Sequence, residues 1–218
     1  MIYVIMCGGQ YPEFSRHKSL IEVNNEKLIS RTVRLLRKFI KETDRIVITT
    51  QDIRFNQYAD VILTESNYSG SSKELKGYWL DAFYLGFEDT DKVTYLMGDV
   101  YYTENALRLI VECQKDGNIL FGTSLAKNKF HRNWGEAFAY VVNDYKEFRE
   151  GVIAVKKLQD EGRTNRVALV WELYRYLNNF DINVQSINDL TYVCIDDMTM
   201  DIDSPEDVKL LEKKINEV

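Results

Sequence analysis

The pattern of apolar and polar positions alternates between short apolar runs and longer amphipathic stretches. The run from Ile2 to Met6 is apolar throughout and ends at Gly8-Gly9, which predicts a strand buried on both faces. Apolar residues then recur at helical spacing from Leu28 to Ile40, and the run RIVITT at 45–50 predicts a second strand. A strand, a helix and a parallel strand in succession form a right-handed crossover unit.

The same alternation continues to the end of the chain and predicts a single α/β domain over 1–218 with a mixed, mostly parallel sheet. In such a three-layer α/β/α sandwich, ligands bind beyond the carboxyl ends of the strands. Further strands are predicted at 61–63, 93–97, 118–123, 136–142 (a candidate antiparallel strand), 190–194 and 198–203, and helices at 78–87, 105–114, 145–160, 167–178 and 205–216.

Composition narrows the class of protein. The net charge of −6 over 218 residues disfavours non-specific nucleic-acid binding, which needs a basic surface. Cys7, Cys113 and Cys194 are widely spaced and form no metal-binding pattern, so we expect reduced, buried thiols. No targeting segment is visible, and no apolar stretch approaches the roughly 20 residues of a membrane span, so we expect a soluble cytoplasmic protein.

The first predicted strand leads into a loop with phosphate-binding chemistry. Gly8 and Gly9 allow the backbone to approach a phosphate closely with its N–H groups turned inward. Lys18, which returns from that loop, adds a positive charge suited to a polyphosphate. A plain tight turn with a surface lysine is the alternative interpretation.

Asp99 follows Gly98 at the end of the predicted strand at 93–97. A carboxylate at the tip of a buried strand faces the ligand crevice, which makes Asp99 a candidate site residue. Acidic residues also cap loops in this position, and that alternative stays open.

The segment at 198–203 is the most informative in the chain. Side chains alternate along a strand, so Thr199, Asp201 and Asp203 share one face, and the two carboxylates lie roughly 6–7 Å apart. Such a pair suits Mg²⁺, which takes one or two carboxylates and completes its shell with phosphate and water. The following residues from Ser204 to Asp207 form a helix N-cap signature, so we interpret Glu206 and Asp207 as structural.

Three motifs together resemble the nucleotidyltransferases of the GT-A-like, Rossmann-like fold. This group includes sugar-phosphate nucleotidyltransferases, molybdopterin guanylyltransferases and CTP:phosphocholine cytidylyltransferases. Residues 1–36 resemble the family's first strand, glycine loop, lysine and helix, although His17 replaces the usual proline and the usual loop arginine is absent. YLMGDV at 95–100 resembles the metal-aspartate strand, and MDIDSPEDVKLLEKKI at 200–215 resembles the cytidylyltransferase tail.

The resemblance implies a magnesium-dependent enzyme that uses a nucleoside triphosphate, with CTP slightly favoured by the tail. Lys18 and Asp99 would be catalytic, and the metal would be held by Asp99, Asp201 and Asp203. Arg16 is the candidate replacement for the loop arginine, and the base would lie near Thr50, Gln51 and the loop from Ser69 to Lys73. The full set of implied nucleotide-binding residues is Cys7, Gly8, Gly9, Gln10, Arg16, Lys18, Thr50, Gln51, Ser71 and Ser72.

The resemblance also implies an acceptor that is a phosphorylated small molecule, such as a sugar phosphate or phosphocholine. It would bind on the segment at about 124–190, with Arg132, Trp134, Glu136 and Trp171 as candidates. A phosphate monoester is ionised at neutral pH, so the reaction needs no general base, only charge screening and alignment. We expect a monomer or homodimer that engages neither nucleic acid nor membranes.

Two rival functions stay open at this point. A GT-A glycosyltransferase would share the fold and a metal acid, but those enzymes usually carry an Asp-x-Asp, whereas Asp99 stands alone here. A relative that binds nucleotide without turnover would fit the absent loop arginine. Release of pyrophosphate, release of nucleoside diphosphate, or binding without product would distinguish the three.

Overall fold

A computed structural model describes residues 1–8, 17–64, 77–123 and 135–217. The predicted site residues Gly9, Gln10, Arg16, Ser71, Ser72, Arg132 and Trp134 lie outside the described residues.

The described elements follow the predicted alternation of strands and helices. The strands are β1 (Ile2–Met6), β2 (Glu22–Val23), β3 (Glu26–Lys27), β4 (Arg45–Thr50), β5 (Asp60–Leu63), β6 (Val93–Met97), β7 (Val100–Tyr101), β8 (Ile119–Gly122), β9 (Ala137–Val142), β10 (Tyr192–Cys194) and β11 (Met200–Asp201). The helices are α1 (Leu28–Phe39), α2 (Glu104–Val111), α3 (Tyr145–Asp160), α4 (Val170–Leu177) and α5 (Pro205–Asn216).

Seven of these strands form one mixed sheet in the order β10-β8-β9-β6-β1-β4-β5. Strand β9 is antiparallel to both β6 and β8, and the other neighbours are parallel, which confirms the predicted mixed, mostly parallel sheet. Strand β1 lies between β4 and β6, and Val4 and Ile5 are fully buried there. This interior position explains why the run from Ile2 to Met6 is apolar on both faces.

A second, smaller hydrophobic cluster joins distant parts of the chain. Strands β7 and β11 pair antiparallel, so the chain returns near its end to the carboxyl end of β6. Met200 and Ile202 are buried there, while Asp201 and Asp203 face the other way and line a cleft, which confirms the predicted alternation. The buried members of this cluster are Ile21, Val23, Leu28, Tyr101, Met200, Ile202 and Leu211.

Two predictions from the sequence are wrong. The predicted helix at 78–87 is only a 3₁₀ turn at Trp79–Ala82, because Phe83 packs edge-on against Tyr95 and Phe148 and the chain continues without helical bonds. Cys194 is exposed rather than buried because it ends β10, a strand at the edge of the sheet. All three cysteines are free thiols, as expected.

The described α-helices are 8 to 16 residues long. Within residues 1–8, 17–64, 77–123 and 135–217, no helix has the length and apolar character needed to cross a bilayer.

Candidate active site

The carboxyl ends of β1 and β6 meet because Gly98 has no side chain. Its backbone N–H donates to the carbonyl of Met6 over 3.0 Å. A Cβ atom at position 98 would lie 2.3 Å from the Met6 oxygen and 2.9 Å from the Cys7 sulfur, so no larger residue fits without displacement. This close approach places Asp99 beside the start of the glycine loop.

Lys18 joins the glycine loop to the two acidic segments. Its Nζ atom lies 2.6 Å from Asp203 Oδ1 and 3.5 Å from Asp99 Oδ2. The lysine side chain is only 3% exposed, so the alternative of a surface lysine is excluded. Residues separated by 185 positions in the sequence therefore form one charged centre.

The charged groups of this centre shift one another's pKa values. Burial alone would lower the pKa of Lys18, but the carboxylates of Asp99, Asp201 and Asp203 outweigh it and raise that pKa. Burial and the charge of Asp203 raise the pKa of Asp99, although the ammonium of Lys18 opposes the shift. Lys18 is therefore a permanent cation within a group of acids.

Asp201 is the least compensated of these acids. Its Oδ1 atom is buried and has no hydrogen-bond partner among the described residues. Burial and the neighbouring carboxylates of Asp99, Asp203 and Glu136 raise its pKa well above the ordinary value. The backbone N–H of Asp201 donates to Glu136 Oε2 over 3.4 Å, which ties the tail to the start of β9. A buried carboxylate of this kind is a common feature of functional sites.

The helix cap after Asp203 holds that residue in place. The side chain of Ser204 accepts from the N–H of Asp207, and Asp207 Oδ2 accepts from the N–H of Ser204 over 2.8 Å, which confirms the predicted cap. Asp207 Oδ2 also accepts from the backbone N–H of Asp203 over 3.0 Å. Asp207 thus has a structural role and fixes the backbone from which Asp203 reaches Lys18.

The described part of the predicted nucleotide site also comes together at this edge. Thr50 Oγ1 donates to the carbonyl of Cys7 over 3.3 Å, which links the ends of β4 and β1. Among the described residues, a Cβ atom at Gly8 would contact only Gln51 Nε2, at 3.8 Å. Burial raises the pKa of Cys7 to about 12, so its thiol acts as a packing group.

A cleft of about 330 Å³ lies over the charged centre. It brings together the predicted residues Lys18, Asp99, Glu136, Trp171, Asp201 and Asp203, and Trp79 and Met97 add apolar surface. Trp171 is 7% exposed at this wall, whereas the neighbouring Tyr174 is fully buried and belongs to the core. Cys7, Gly8, Thr50 and Gln51 are not part of this cleft's described lining and lie at the adjoining strand ends.

Two arginines of the same cleft were not predicted from the sequence. Arg166 and Arg175 both line the cleft, and Arg175 is only 5% exposed. Arg175 Nη1 donates to Glu172 Oε1 over 3.2 Å, and Arg166 Nε donates to the same atom over 3.0 Å. The sequence feature that could have indicated Arg175 is its pairing with Glu172, three residues earlier, in an otherwise largely apolar helix.

The same acidic residues are the candidate metal ligands. Among the described residues, no three His, Cys, Asp or Glu side chains are arranged as a ready-made metal site, and Lys18 lies between two of the acids. The donor chemistry nonetheless fits Mg²⁺, because the donors are oxygens and Asp201 Oδ1 is buried without a partner among the described residues.

Comparisons with known proteins identify the fold. No family model and no curated protein matches the sequence. The structure is similar to a candidate glucose-1-phosphate thymidylyltransferase from Bacillus anthracis in complex with sucrose (TM-score 0.61, 16% identity, 100% of this chain and 96% of that chain). It is also similar to molybdopterin-guanine dinucleotide biosynthesis protein A from Archaeoglobus fulgidus (0.58, 13%, 100% of both chains). A third match is the bifunctional IspDF from Campylobacter jejuni (0.57, 14%, 95% of this chain and 53% of that chain).

These likenesses extend over nearly the whole of the chain. They confirm that the fold is the GT-A-like one that the sequence motifs resemble. At identities of 13–16% they establish the fold alone, and the chemistry has to be argued from the site.

Proposed function

We propose that this protein, with its GT-A-like fold, is a magnesium-dependent nucleotidyltransferase. It transfers a nucleoside monophosphate group from a nucleoside triphosphate, CTP being the first to test, to a phosphorylated small molecule with release of pyrophosphate. The observation that carries the proposal is the buried Lys18, which leaves the glycine loop and lies between Asp99 and Asp203 at the strand ends. This is where ligands bind in open α/β sheets.

The nucleotide would bind along the ends of β1 and β4. No described atom would lie closer than 3.8 Å to a Cβ atom at Gly8, which suits the close approach of a triphosphate. The ammonium of Lys18 would meet the negative charge that develops on the leaving pyrophosphate. Thr50 and Gln51, at the end of β4, would contact the base or ribose. These are the roles that the resemblance in the sequence implies for them.

Asp99, Asp201 and Asp203 would hold Mg²⁺. When bound, the ion would screen the repulsion between the two phosphate anions and polarise the α-phosphate. The chain's own contribution is placement, since Glu136 fixes the backbone of Asp201 and Asp207 fixes that of Asp203. The acceptor's phosphate is already ionised, so no side chain has to remove a proton.

The first experiment is a pyrophosphate-release assay with Mg²⁺. Each common nucleoside triphosphate is combined with glucose 1-phosphate, phosphocholine and related phosphate monoesters. Release that requires both substrates supports the proposal and names them. Release of nucleoside diphosphate from a nucleotide-sugar would indicate a glycosyltransferase, and nucleotide binding without any product would indicate a binding protein.

Variants of two acids make the assay specific for this site. Asp99→Asn should reduce turnover by at least about 10²-fold, because it removes a charge from the reacting centre. Asp60→Asn is the matched control, because Asp60 is 77% exposed on β5 and lies outside the cleft. Near-normal turnover by Asp99→Asn would contradict the metal assignment.

Gly8→Ala tests the triphosphate site without disturbing the fold. The added methyl group would have no described neighbour closer than 3.8 Å, so the melting temperature should stay close to that of the wild type. Nucleotide affinity should fall, because the methyl group occupies the space proposed for the phosphates. Unchanged affinity in calorimetric titrations would show that the triphosphate binds elsewhere.

A further inference from the structure

The cleft above the acids has a second charged region, on α4 and the residues just before it. Arg166 and Arg175 line the cleft there together with Trp171 and Gln185. Helix α4 lies far along the chain from Lys18, and none of these residues belongs to the metal or triphosphate sites proposed above. The region therefore has its own chemistry to explain.

Its charge is positive on balance. The two guanidinium groups share the single carboxylate of Glu172, which is 3% exposed. That carboxylate is already engaged, because its Oε2 atom also accepts from the backbone N–H of Leu169 over 2.9 Å at the start of α4. One positive charge thus stays uncompensated within this group of three side chains.

Arg175 is also incompletely hydrogen-bonded. Its Nη1 atom donates to Glu172 and to the carbonyl of Ile182, the latter over 2.7 Å. Its Nε atom is buried and has no partner among the described residues, although the side chain borders the cleft. Buried donors are nearly always paired in native proteins, so an unpaired guanidinium N–H beside a cleft marks a candidate contact for a ligand or an ordered water.

We infer that Arg175 and Arg166 form an oxyanion subsite for the acceptor, an inference that rests on the proposed function. An arginine fork matches the planar or tetrahedral oxygens of a carboxylate or phosphate, which accept two parallel hydrogen bonds. The subsite would orient the acceptor over the acids and contact either its phosphate or a carboxylate elsewhere on the molecule. It selects anionic acceptors.

The same geometry disfavours a cationic acceptor group at this wall. A quaternary ammonium is usually held by aromatic faces free of competing cations. Trp171 is the aromatic side chain that α4 contributes to the described lining, but Arg175 lies on the same helix and borders the same cleft. The subsite therefore predicts that sugar phosphates or phosphorylated carboxylic acids bind better than phosphocholine.

The test is calorimetric titration of the whole protein with inorganic phosphate and, separately, with malonate. Arg175→Gln should weaken binding of the recognised anion by about tenfold or more, because it removes a charged fork. Arg166→Gln should weaken it severalfold and is the safer variant, since Arg166 is 53% exposed while Arg175 supports Ile182. Arg163→Gln is the matched control, because Arg163 is 67% exposed, pairs with Glu161 and lies outside this cleft.

Each outcome decides the inference. Arginine-dependent binding of phosphate alone identifies the acceptor's phosphate as the recognised group, and arginine-dependent binding of malonate identifies a carboxylate. No anion binding by the wild type, or binding that is unchanged in both arginine variants, overturns the subsite. If Arg175→Gln does not fold, Arg166→Gln decides by the same criterion.

The subsite and the proposed reaction can fail separately. With an acceptor found by pyrophosphate release, Arg166→Gln should raise the acceptor's KM and leave the nucleotide's KM unchanged. If Arg166→Gln turns over its substrates with an unchanged acceptor KM, the proposed reaction stands and the subsite is refuted. If anion binding depends on the arginines but no substrate pair is turned over, the subsite stands and the proposed reaction is refuted.

Discussion

Replacing Lys18 by Met tests the charged centre most directly. The substitution keeps the volume of the side chain and removes the cation that lies 2.6 Å from Asp203 and 3.5 Å from Asp99. Removing one partner of a buried ion pair costs about 3–5 kcal/mol. Because Asp203 is 52% and Asp99 32% exposed, solvent screens part of this loss, and we expect about 2–3 kcal/mol.

The measurement is thermal unfolding at neutral pH in the presence of EDTA. A loss of this size corresponds to a decrease in Tm of roughly 4–12 °C for a chain of this length. Lys38→Met is the control, because Lys38 pairs with Glu104 on the exposed surface and should cost less than about 1 kcal/mol.

Acid pH and Mg²⁺ should each reduce the defect of Lys18→Met. Asp99 and Asp201 have raised pKa values in the folded protein, so the folded state binds protons more tightly than the unfolded chain. The repulsion among ionised acids is therefore lost as the pH falls through the folded pKa toward 3.8, the ordinary value. Excess Mg²⁺ should stabilise the variant more than the wild type, because the ion would replace the missing cation.

If Lys18→Met unfolded at the wild-type temperature in the presence of EDTA, a stabilising role for the Lys18 ion pairs would be refuted. If Mg²⁺ stabilised both proteins equally, the conclusion about the ion pair would stand, but the assignment of the acids as metal ligands would not. If the Tm of the two proteins changed with pH in the same way, Lys18 would not be the group that stabilises the ionised forms of Asp99 and Asp201.

Three further predictions concern single residues of the same edge. Asp201→Asn should raise the Tm of the metal-free protein at neutral pH, because the raised pKa of Asp201 shows that its charge is unfavourable in the folded state. This gain in Tm should vanish toward pH 3.8. Thermal unfolding at several pH values checks this, and a lower Tm at neutral pH would contradict it. Gly98→Ala should cost about 1–3 kcal/mol in denaturant unfolding, because the methyl group would meet the Met6 oxygen at 2.3 Å, and a neutral result would show that the strand ends move apart freely. Iodoacetamide at mildly alkaline pH should modify the exposed Cys194 and spare the buried Cys7, whose pKa is about 12, and peptide mass spectrometry that found Cys7 labelled first would refute its burial.

Much of the fold was predictable because it depends on local patterns. The apolar run of β1 requires burial on both faces, and the alternation around Asp201 requires one buried and one polar face. The cap from Ser204 to Asp207 is a short-range device with a clear signature. The acids and Lys18 could be proposed for one site because strand ends in α/β sheets converge.

Other features depend on packing between distant segments and left no local signal. The segment around Phe83 has helical spacing, but its aromatic contacts with Tyr95 and Phe148 decide its path. Arg175 resembles a solvent-facing residue of an amphipathic helix until the chain near Ile182 covers it. The direct contact between Lys18 and Asp203 could not be predicted either, since it depends on how β11 returns to β7.

The pairing of β11 with β7 has a consequence for the order of events during synthesis. Strands β1, β4, β5 and β6 pair with one another within the first 97 residues, so this part of the sheet can form before the rest of the chain is made. Asp201, Asp203 and the α5 residue Leu211 are made well after these strands, and the charged centre can close only then. A nascent chain that has not yet reached Asp203 would therefore carry this part of the sheet without the complete set of acids.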